Sequence, residues 1–290
     1  MTVTGTAADD RPDTALESDA VESVAFLARS EHRLRVLALL NGGPRGRQEL
    51  RDETDASRVT LSRILGDLED RELIDHRPST GAYALTGFGD LVYQDFSRLL
   101  GTVSVGQTYP DVVTRLPTEW FDFELRCLSE SELVAEGSAD PLAGARVVAN
   151  AVQDATECRS LLGTFISLPM YSFEEALRAG DYPTGAVVFD SDVTETMVGD
   201  PDLRERWQSI EARLDATAYY SVDERVPCSI DLIDGETVFL TVDRADERGF
   251  DILRCTHPDV VAWAEKTVDA YRAKATPLAD HVADHVDDYD

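Results

Sequence analysis

A chain of 290 residues, 43% of them hydrophobic, is long enough for two domains that each bury a core. No apolar run approaches the roughly 18 residues of a membrane span. The acidic, polar start MTVTGTAADDRPD lacks a basic-then-apolar leader pattern, so a cytoplasmic protein without a membrane partner is expected. The formal charge of −29 argues against a polyanionic partner at first sight, because a conventional DNA-binding domain carries a basic footprint.

The kind of charge changes that inference. Lys266 and Lys274 are the only lysines, and arginine supplies every other cation. Abundant carboxylates with almost no lysine suit a cytoplasm of concentrated salt, as in an extremely halophilic archaeon. There the screening length falls to about 3 Å and carboxylates hold water and cations. From Arg29 to Thr80 ten arginines face ten acidic residues, a neutral stretch in a strongly acidic chain. Acidity alone therefore does not veto DNA.

The first 17 residues read as a disordered acidic arm, and residues 18–105 as the first domain. Val21, Val24, Ala25, Leu27 and Ala28 recur at helical spacing, and Ser30 can cap a second helix over EHRLRVLALL that ends at NGGP. A short helix follows over GRQELRDET with Leu50 inward. A tight turn at Asp55–Ala56 leads to a longer helix capped by Ser57, with Leu61, Ile64, Leu65 and Leu68 on its core face. Short helix, tight turn and longer helix with early polar and arginine residues is helix-turn-helix order. The segment DHRPSTGAYALT then reads as a hairpin turning at Pro78–Gly81, and Thr86 opens a further helix that carries Phe96, Leu99 and Leu100.

The segment GQTYPDVVTRLP, within 106–117, reads as a linker. Residues 116–278 form a second domain, and 279–290 an acidic tail. EWFDFELRCL is helix-like, with Trp120, Phe123 and Leu128 as core, and PLAGARVVANAVQDA is helical. LLGTFISLP, TGAVVFD, ATAYYSVD and FDILRCT have strand composition. CSIDLIDGETVFLTVD is a hairpin turning at Asp234-Gly235, and SFEEALRAG, DPDLRERWQSIEARL and HPDVVAWAEKTVDAYRAKA are helices. The expected fold class is α+β: a winged helix-turn-helix followed by an α/β sheet domain.

The run DASRVTLSRILGDLEDRELIDHRPSTGAYALTGFG resembles winged-helix regulators of the ArsR, MarR and TrmB type. The later stretch, from GAVVFD through VPCSIDLIDGETVFLTVD to HPDVVAWAEKTVDAYR, resembles the FilR1-type (DUF1724) domain of archaeal regulators. The first resemblance implies a helix in the major groove, with roles for Ser57, Arg58, Thr60 and Arg63, and a wing that touches DNA through Arg77, Ser79 and Thr80. Arg45 and Arg47, opening the short helix, are placed to grip phosphate with help from the helix N-terminus. The second resemblance implies a regulatory or ligand-sensing module, one that senses a ligand or a partner. The expected protein is a homodimeric, double-stranded-DNA-binding transcriptional regulator with a possible small-molecule effector. Phe96, Leu99, Leu100 and the helix before Val24 are its candidate dimer contacts.

Two alternatives stand beside this reading. A winged helix can dock a protein instead of DNA. The four separated cysteines, Cys127, Cys158, Cys228 and Cys255, have no C-x-x-C pair; buried free thiols are expected, with a redox sensor as the other possibility. No nucleophile elbow, Walker loop, dinucleotide fingerprint or H-E-x-x-H run is present, so neither an enzyme nor a cofactor is expected. His257 suits a helix cap. His281 and His285 have metal-like spacing but sit in the acidic tail. Arg206, Trp207, Tyr219, Tyr220 and Asp231 suit a small-molecule pocket, against core packing as the plainer account.

Overall fold

The computed structural model describes residues 18–134, 140, 142–244 and 249–286, the side chains of Ser18 and of 283–286 excepted. The expected N-terminal arm lies outside the described residues. The chain divides into two compact units, with the boundary between Ser97 and Arg98.

The first unit runs α1 (Ser18–Ala28), α2 (Glu31–Asn41), β1 (Arg45–Gly46), α3 (Arg47–Thr54), α4 (Arg58–Glu69), β2 (Ile74–Arg77), β3 (Ala82–Leu85) and the start of α5 (Gly87–Thr108). Its core gathers Leu27, Val36, Leu37, Leu40, Leu50, Leu61, Ile64, Leu65 and Leu68, with Phe96 from α5. Ser30 caps α2 by accepting from Arg33 N. The Glu49 side chain reaches back to Gly46 N (2.6 Å) at the start of α3. Asp55, at φ 53°, makes the left-handed turn between α3 and α4. The expected hairpin is present and gains a partner: β1 pairs with β3 to give the order β1-β3-β2. Thr86 accepts from Gly89 N (2.8 Å) and caps α5. A Cβ at Gly89 would lie 1.8 Å from the Leu73 carbonyl oxygen, so only glycine lets α5 start so close to the backbone just before β2.

The second unit follows with α6 (Pro110–Val113), a 3₁₀ turn (Leu125–Leu128), β4 (Glu132–Leu133), α7 (Ala143–Asp154), β5 (Cys158–Leu162), α8 (Ser167–Ala179) and β6 (Val187–Phe189). Next come α9 (Ser191–Gly199), α10 (Pro201–Leu214), β7 (Tyr219–Ser221), β8 (Ser229–Ile233) and β9 (Thr237–Asp243). It ends with β10 (Phe250–Cys255), α11 (Pro258–Lys274), β11 (Thr276–Pro277) and α12 (Leu278–Val286). One mixed sheet has the order β11-β7-β6-β5-β8-β9-β10-β4. β5, β6 and β7 are parallel, with α8 and then α9 and α10 as crossovers, and the remaining pairings are antiparallel. The hairpin turn is where the sequence puts it: Asp234 and Gly235 both have positive φ, 52° and 66°.

Alternation along the strands sorts the two faces of this sheet. Leu161, Val188, Ile230, Leu232, Val238 and Leu240 share a core with Val260, Trp263, Ala264 and Val268 of α11. Phe189, Tyr219, Phe239 and Ile233 belong to cores on the other face with α7 to α10. The central strands are therefore buried on both faces.

Three expectations need correction. The linker reading fails because α5 continues to Thr108, and Val105, Tyr109, Val112 and Leu116 are buried in the core of the second unit. EWFDFELRCL is not a helix. Only Leu125–Leu128 forms a 3₁₀ turn, while Trp120 and Phe123 pack edge-on against Trp263, each with ring centres 5.2 Å away. The tail expected at 279–290 is helical as far as Val286, continuing from Leu278, the fully buried last residue of the expected second domain. Asp287 to Asp290 lie outside the described residues.

Arg115, in the supposed linker, donates to the Asp243 carbonyl (2.9 Å) and to the carboxylate of buried Asp251, which Arg244 also grips. Burial opposes ionisation of Asp251, but the two arginines win and hold its pKa low. Arg115→Ala should destabilise the second unit by about 2 kcal/mol, read from denaturant unfolding in concentrated salt. An unchanged midpoint would show that Arg244 alone suffices.

Candidate DNA-reading helix and a buried polar cavity

The inward face of α4 is fixed by Leu61, Ile64, Leu65 and Leu68. Helical periodicity then turns Val59, Ser62 and Arg63 outward, with Arg58 and Thr60 flanking. All five are exposed, Val59 at 79%. Ser57 caps the helix: its Oγ accepts from Thr60 N (3.1 Å) and is hydrogen-bonded to Thr60 Oγ1 (2.8 Å). These two hydroxyls are thus already engaged with each other and set the helix start. Asp67 is drawn away from the outward group by Arg33, 3.4 Å away.

The remaining expected contacts form two groups. Arg77, Ser79 and Thr80 are exposed at the wing turn, closed by Gly81 N donating to the Arg77 carbonyl (2.8 Å). Arg45 and Arg47 are more tied down than expected. Arg45 Nε donates to the Leu39 carbonyl and Arg47 to the Tyr83 hydroxyl, each at 3.4 Å, although Arg47 stays exposed. Reading residue types alone passed over Val59 and Ser62. Their signal was available in the spacing, since both fall opposite the leucine stripe.

In the second unit the face of the sheet toward α7 and α8 carries an unexpected polar group. Ser160, Ser229, Asp231 and Thr241 are all buried on β5, β8 and β9. Register places Ser160 opposite Asp231 and Ser229 opposite Thr241. Ser160 Oγ donates to Asp231 Oδ1 (2.6 Å), and Cys158 Sγ lies 3.6 Å from the same hydroxyl. Ser229 Oγ accepts from Gly163 N and Thr164 N. These side chains line a cavity of about 80 Å³, counted as the space open to the centre of a water molecule. Its other walls include Val152, Leu162, Met170, Phe173 and Phe189. Gly185 at its edge has φ +136°, and a Cβ there would lie 1.9 Å from the Cys158 carbonyl oxygen.

Of the five pocket candidates read from sequence, Tyr219 and Asp231 line this cavity. Trp207 is core, donating from Nε1 to the Met197 carbonyl (3.2 Å). Arg206 pairs with buried Glu174, and Tyr220 lies under Arg272 at 3.2 Å.

Burial pushes the Cys158 and Cys228 thiols up to about 12 and also raises Cys127. A redox sensor needs a thiolate, so these surroundings argue against that alternative. Cys127, His257 and Asp259 hold potential ligand atoms within 4.8 Å of one another. His257 Nδ1, however, accepts from Asp259 N (3.2 Å) as the N-cap of α11, whose positive end opposes a cation. The expected cap role is the one observed. His281 Nε2 is hydrogen-bonded to Thr276 Oγ1 (2.9 Å), and the side chain of His285 lies outside those described. Among the described residues no helix is long and apolar enough to cross a membrane.

Comparison with known families agrees with both halves. Residues 21–108 match the HVO_A0261 N-terminal domain, and residues 141–274 match the middle domain of the methanogenesis regulatory protein FilR1. Together the matches take in most of the chain, which belongs to the archaeal transcriptional regulators that join a helix-turn-helix domain to a FilR1-type domain. No curated protein matches it. Among solved structures, TrmBL2, an archaeal chromatin protein described with a novel mode of DNA binding, is 14% identical. That match covers 88% of this chain and 99% of TrmBL2, at a TM-score of 0.37. Nuc, a phospholipase D family member from Salmonella typhimurium, is 12% identical over 51% of this chain and 97% of its own, at 0.38. An IclR-family regulator from Rhodococcus sp. is 11% identical over 96% and 99%, at 0.21. TM-scores this low carry no argument about function.

Burial raises the Asp231 carboxyl to about 6, with the Ser160 hydrogen bond pulling the other way. A carboxyl whose folded value lies above its unfolded value near 4 holds its proton more tightly when folded. Stability should therefore fall as pH rises from about 4 to 6 and level off above. Cys158 and Tyr219, the other titratable side chains on the cavity wall, are pushed upward and stay neutral in that window. Asp231→Asn should remove this component from a plot of unfolding free energy against pH; an unchanged slope would assign it elsewhere.

Proposed function

We propose that this regulator reads double-stranded DNA in a sequence-specific way through α4, and that its second unit senses a small molecule. The carrying observation is the outward face of α4, where Arg58, Val59 and Arg63 are exposed on a helix whose other face is locked in the core. Arg63 suits a guanine edge through a bidentate contact worth about 1–3 kcal/mol of discrimination, and Val59 suits a thymine methyl. Arg58 and the wing group Arg77, Ser79 and Thr80 suit phosphates, which set position rather than sequence. Ser57 and Thr60 act by fixing the helix start, and Arg47 by its exposed guanidinium. Arg45 is the weakest member of the set, since its Nε is spent on the Leu39 carbonyl.

A homodimer would place two such helices on half-sites about one helical turn apart. Phe96 cannot serve that contact, because it is buried in its own unit at 7% exposure. Leu99 and Leu100 remain, 52% and 46% exposed, with α1, whose Val21 and Val24 are 49% and 50% exposed, and a second copy is their proposed cover. We also take the −29 charge as adaptation to molar salt in the cytoplasm.

Genome-wide occupancy of wild type against Arg58→Ala/Arg63→Ala tests the DNA reading. Discrete peaks sharing a palindromic motif, lost in the double variant, are expected. Occupancy that survives both substitutions would move the winged helix to a protein-docking role. Light scattering in molar potassium chloride should give a dimer that Leu99→Glu/Leu100→Glu splits, and a wild-type monomer would remove the dimer from the scheme. Cation uptake by the acidic surface should offset counterion release. The slope of DNA affinity against salt is then expected to be shallow or positive near molar salt, and a steep negative slope would count against that adaptation.

A further inference from the structure

Resting on the sensor reading of the second unit, we propose that the cavity beside α8 takes a small, largely apolar molecule bearing one amine, whose ammonium pairs with Asp231. The walls supply the apolar half of that description. Val152, Leu162, Met170, Phe173, Phe189 and Tyr219 surround the space, and about 80 Å³ accommodates a ring-sized body. Asp231 supplies the polar half. Its Oδ1 accepts from Ser160, while among the described residues nothing donates to Oδ2. Among the described residues no arginine, lysine or histidine lines the cavity.

A carboxylate buried without a cation is unfavourable, and here no described residue compensates the charge. A ligand ammonium would donate to Oδ2 and neutralise the charge in one contact. An alcohol of the same shape could donate but would leave the charge. A carboxylic acid anion would meet like charge and gain nothing.

The charged side chains nearby are already committed elsewhere. Glu174, on α8, is held by Arg178 and Arg206. Asp190 accepts from Val193 N and Val226 N. Asp231 is thus the acid left to a guest.

Calorimetric titration of the full chain in concentrated salt with benzylamine, benzyl alcohol and benzoate tests the assignment. Benzylamine should bind about tenfold more tightly than the alcohol, with benzoate weakest. Asp231→Asn, an isosteric change that should fold at least as well at neutral pH, should abolish the preference. Met170→Trp, which fills the cavity and leaves Asp231 in place, should weaken all three. Equal affinity for amine and alcohol overturns the proposal. So does an amine preference that survives Asp231→Asn, or no binding of benzylamine or cyclohexylamine at millimolar concentration. DNA affinity measured with the same samples separates the underlying reading. Amine binding that leaves DNA affinity unchanged keeps the site and removes the sensor. A DNA response to benzoate but not to benzylamine keeps the sensor and removes the amine.

Discussion

A strand covered on both faces has no solvent to fall back on, so each of its side chains must meet an apolar wall or a hydrogen-bond partner. The centre of the second unit lives under that constraint. Toward α11 it is met mainly by apolar packing, from Leu161 to Leu240 against Trp263 and its neighbours, with Arg159 of β5 paired to Glu265 and Asp269 of α11. Toward α7 and α8 it is met only in part. Ser160, Ser229, Asp231 and Thr241 occupy positions where the opposite face carries valine, isoleucine or leucine. Ser229 is spent on two loop amides, and Ser160 satisfies half of Asp231. The other half of that carboxylate is the feature that packing does not explain. A core built for stability alone would place an aliphatic side chain there and be firmer for it.

The first unit obeys the same logic in helical form. Four aliphatic residues pin α4, so the orientation of everything else on it follows from 3.6-residue geometry. Its start is fixed by the Ser57–Thr60 cap and the left-handed turn at Asp55, and its neighbour α3 by the Glu49 return to Gly46. An outward side chain on such a helix keeps its direction without any partner of its own. That is the property a reading head needs, because contacts to base edges depend on placement within a fraction of an ångström.

Much of this was legible in the sequence because the signals are local. The leucine stripe of α4, the Ser57 cap, the wing turn and the Asp234-Gly235 hairpin each depend on residues within a few positions of one another. What escaped depends on distant partners. Two-residue strands such as β1, β4 and β11 have no periodicity, and exist only because β3, β10 and β7 present free edges. The stretch after Gly106 reads as a linker by its glycine, proline and polar content. Its fate is decided by Val112 and Leu116 finding a core that begins a dozen residues later. Asp231 was visible as a polar residue inside an apolar strand. That it faces Ser160 and an open space, and not a buried arginine, is a consequence of register. Val59 was missed for a different reason: an apolar residue on a helix is read as core until the rest of the stripe shows it pointing out.

The choice of arginine over lysine joins the composition to the reading face. In the molar salt we propose as its solvent, Coulomb attraction between exposed charges dies within about 3 Å, so a basic field would neither attract DNA from a distance nor be missed. What survives screening is direct contact, and there the two cations differ. A guanidinium is planar, weakly hydrated and able to make two parallel hydrogen bonds, while an ammonium is a compact, strongly hydrated point charge. The lysines this chain keeps, Lys266 and Lys274, sit in ion pairs with Asp122 and Glu224 in the second unit. Every cation on α4 and the wing is an arginine. A net charge of −29 and the proposed DNA-reading surface then cease to conflict. In the proposed role, specificity would rest on the fit of a few short-range contacts, with the acidic remainder of the surface left to the solvent.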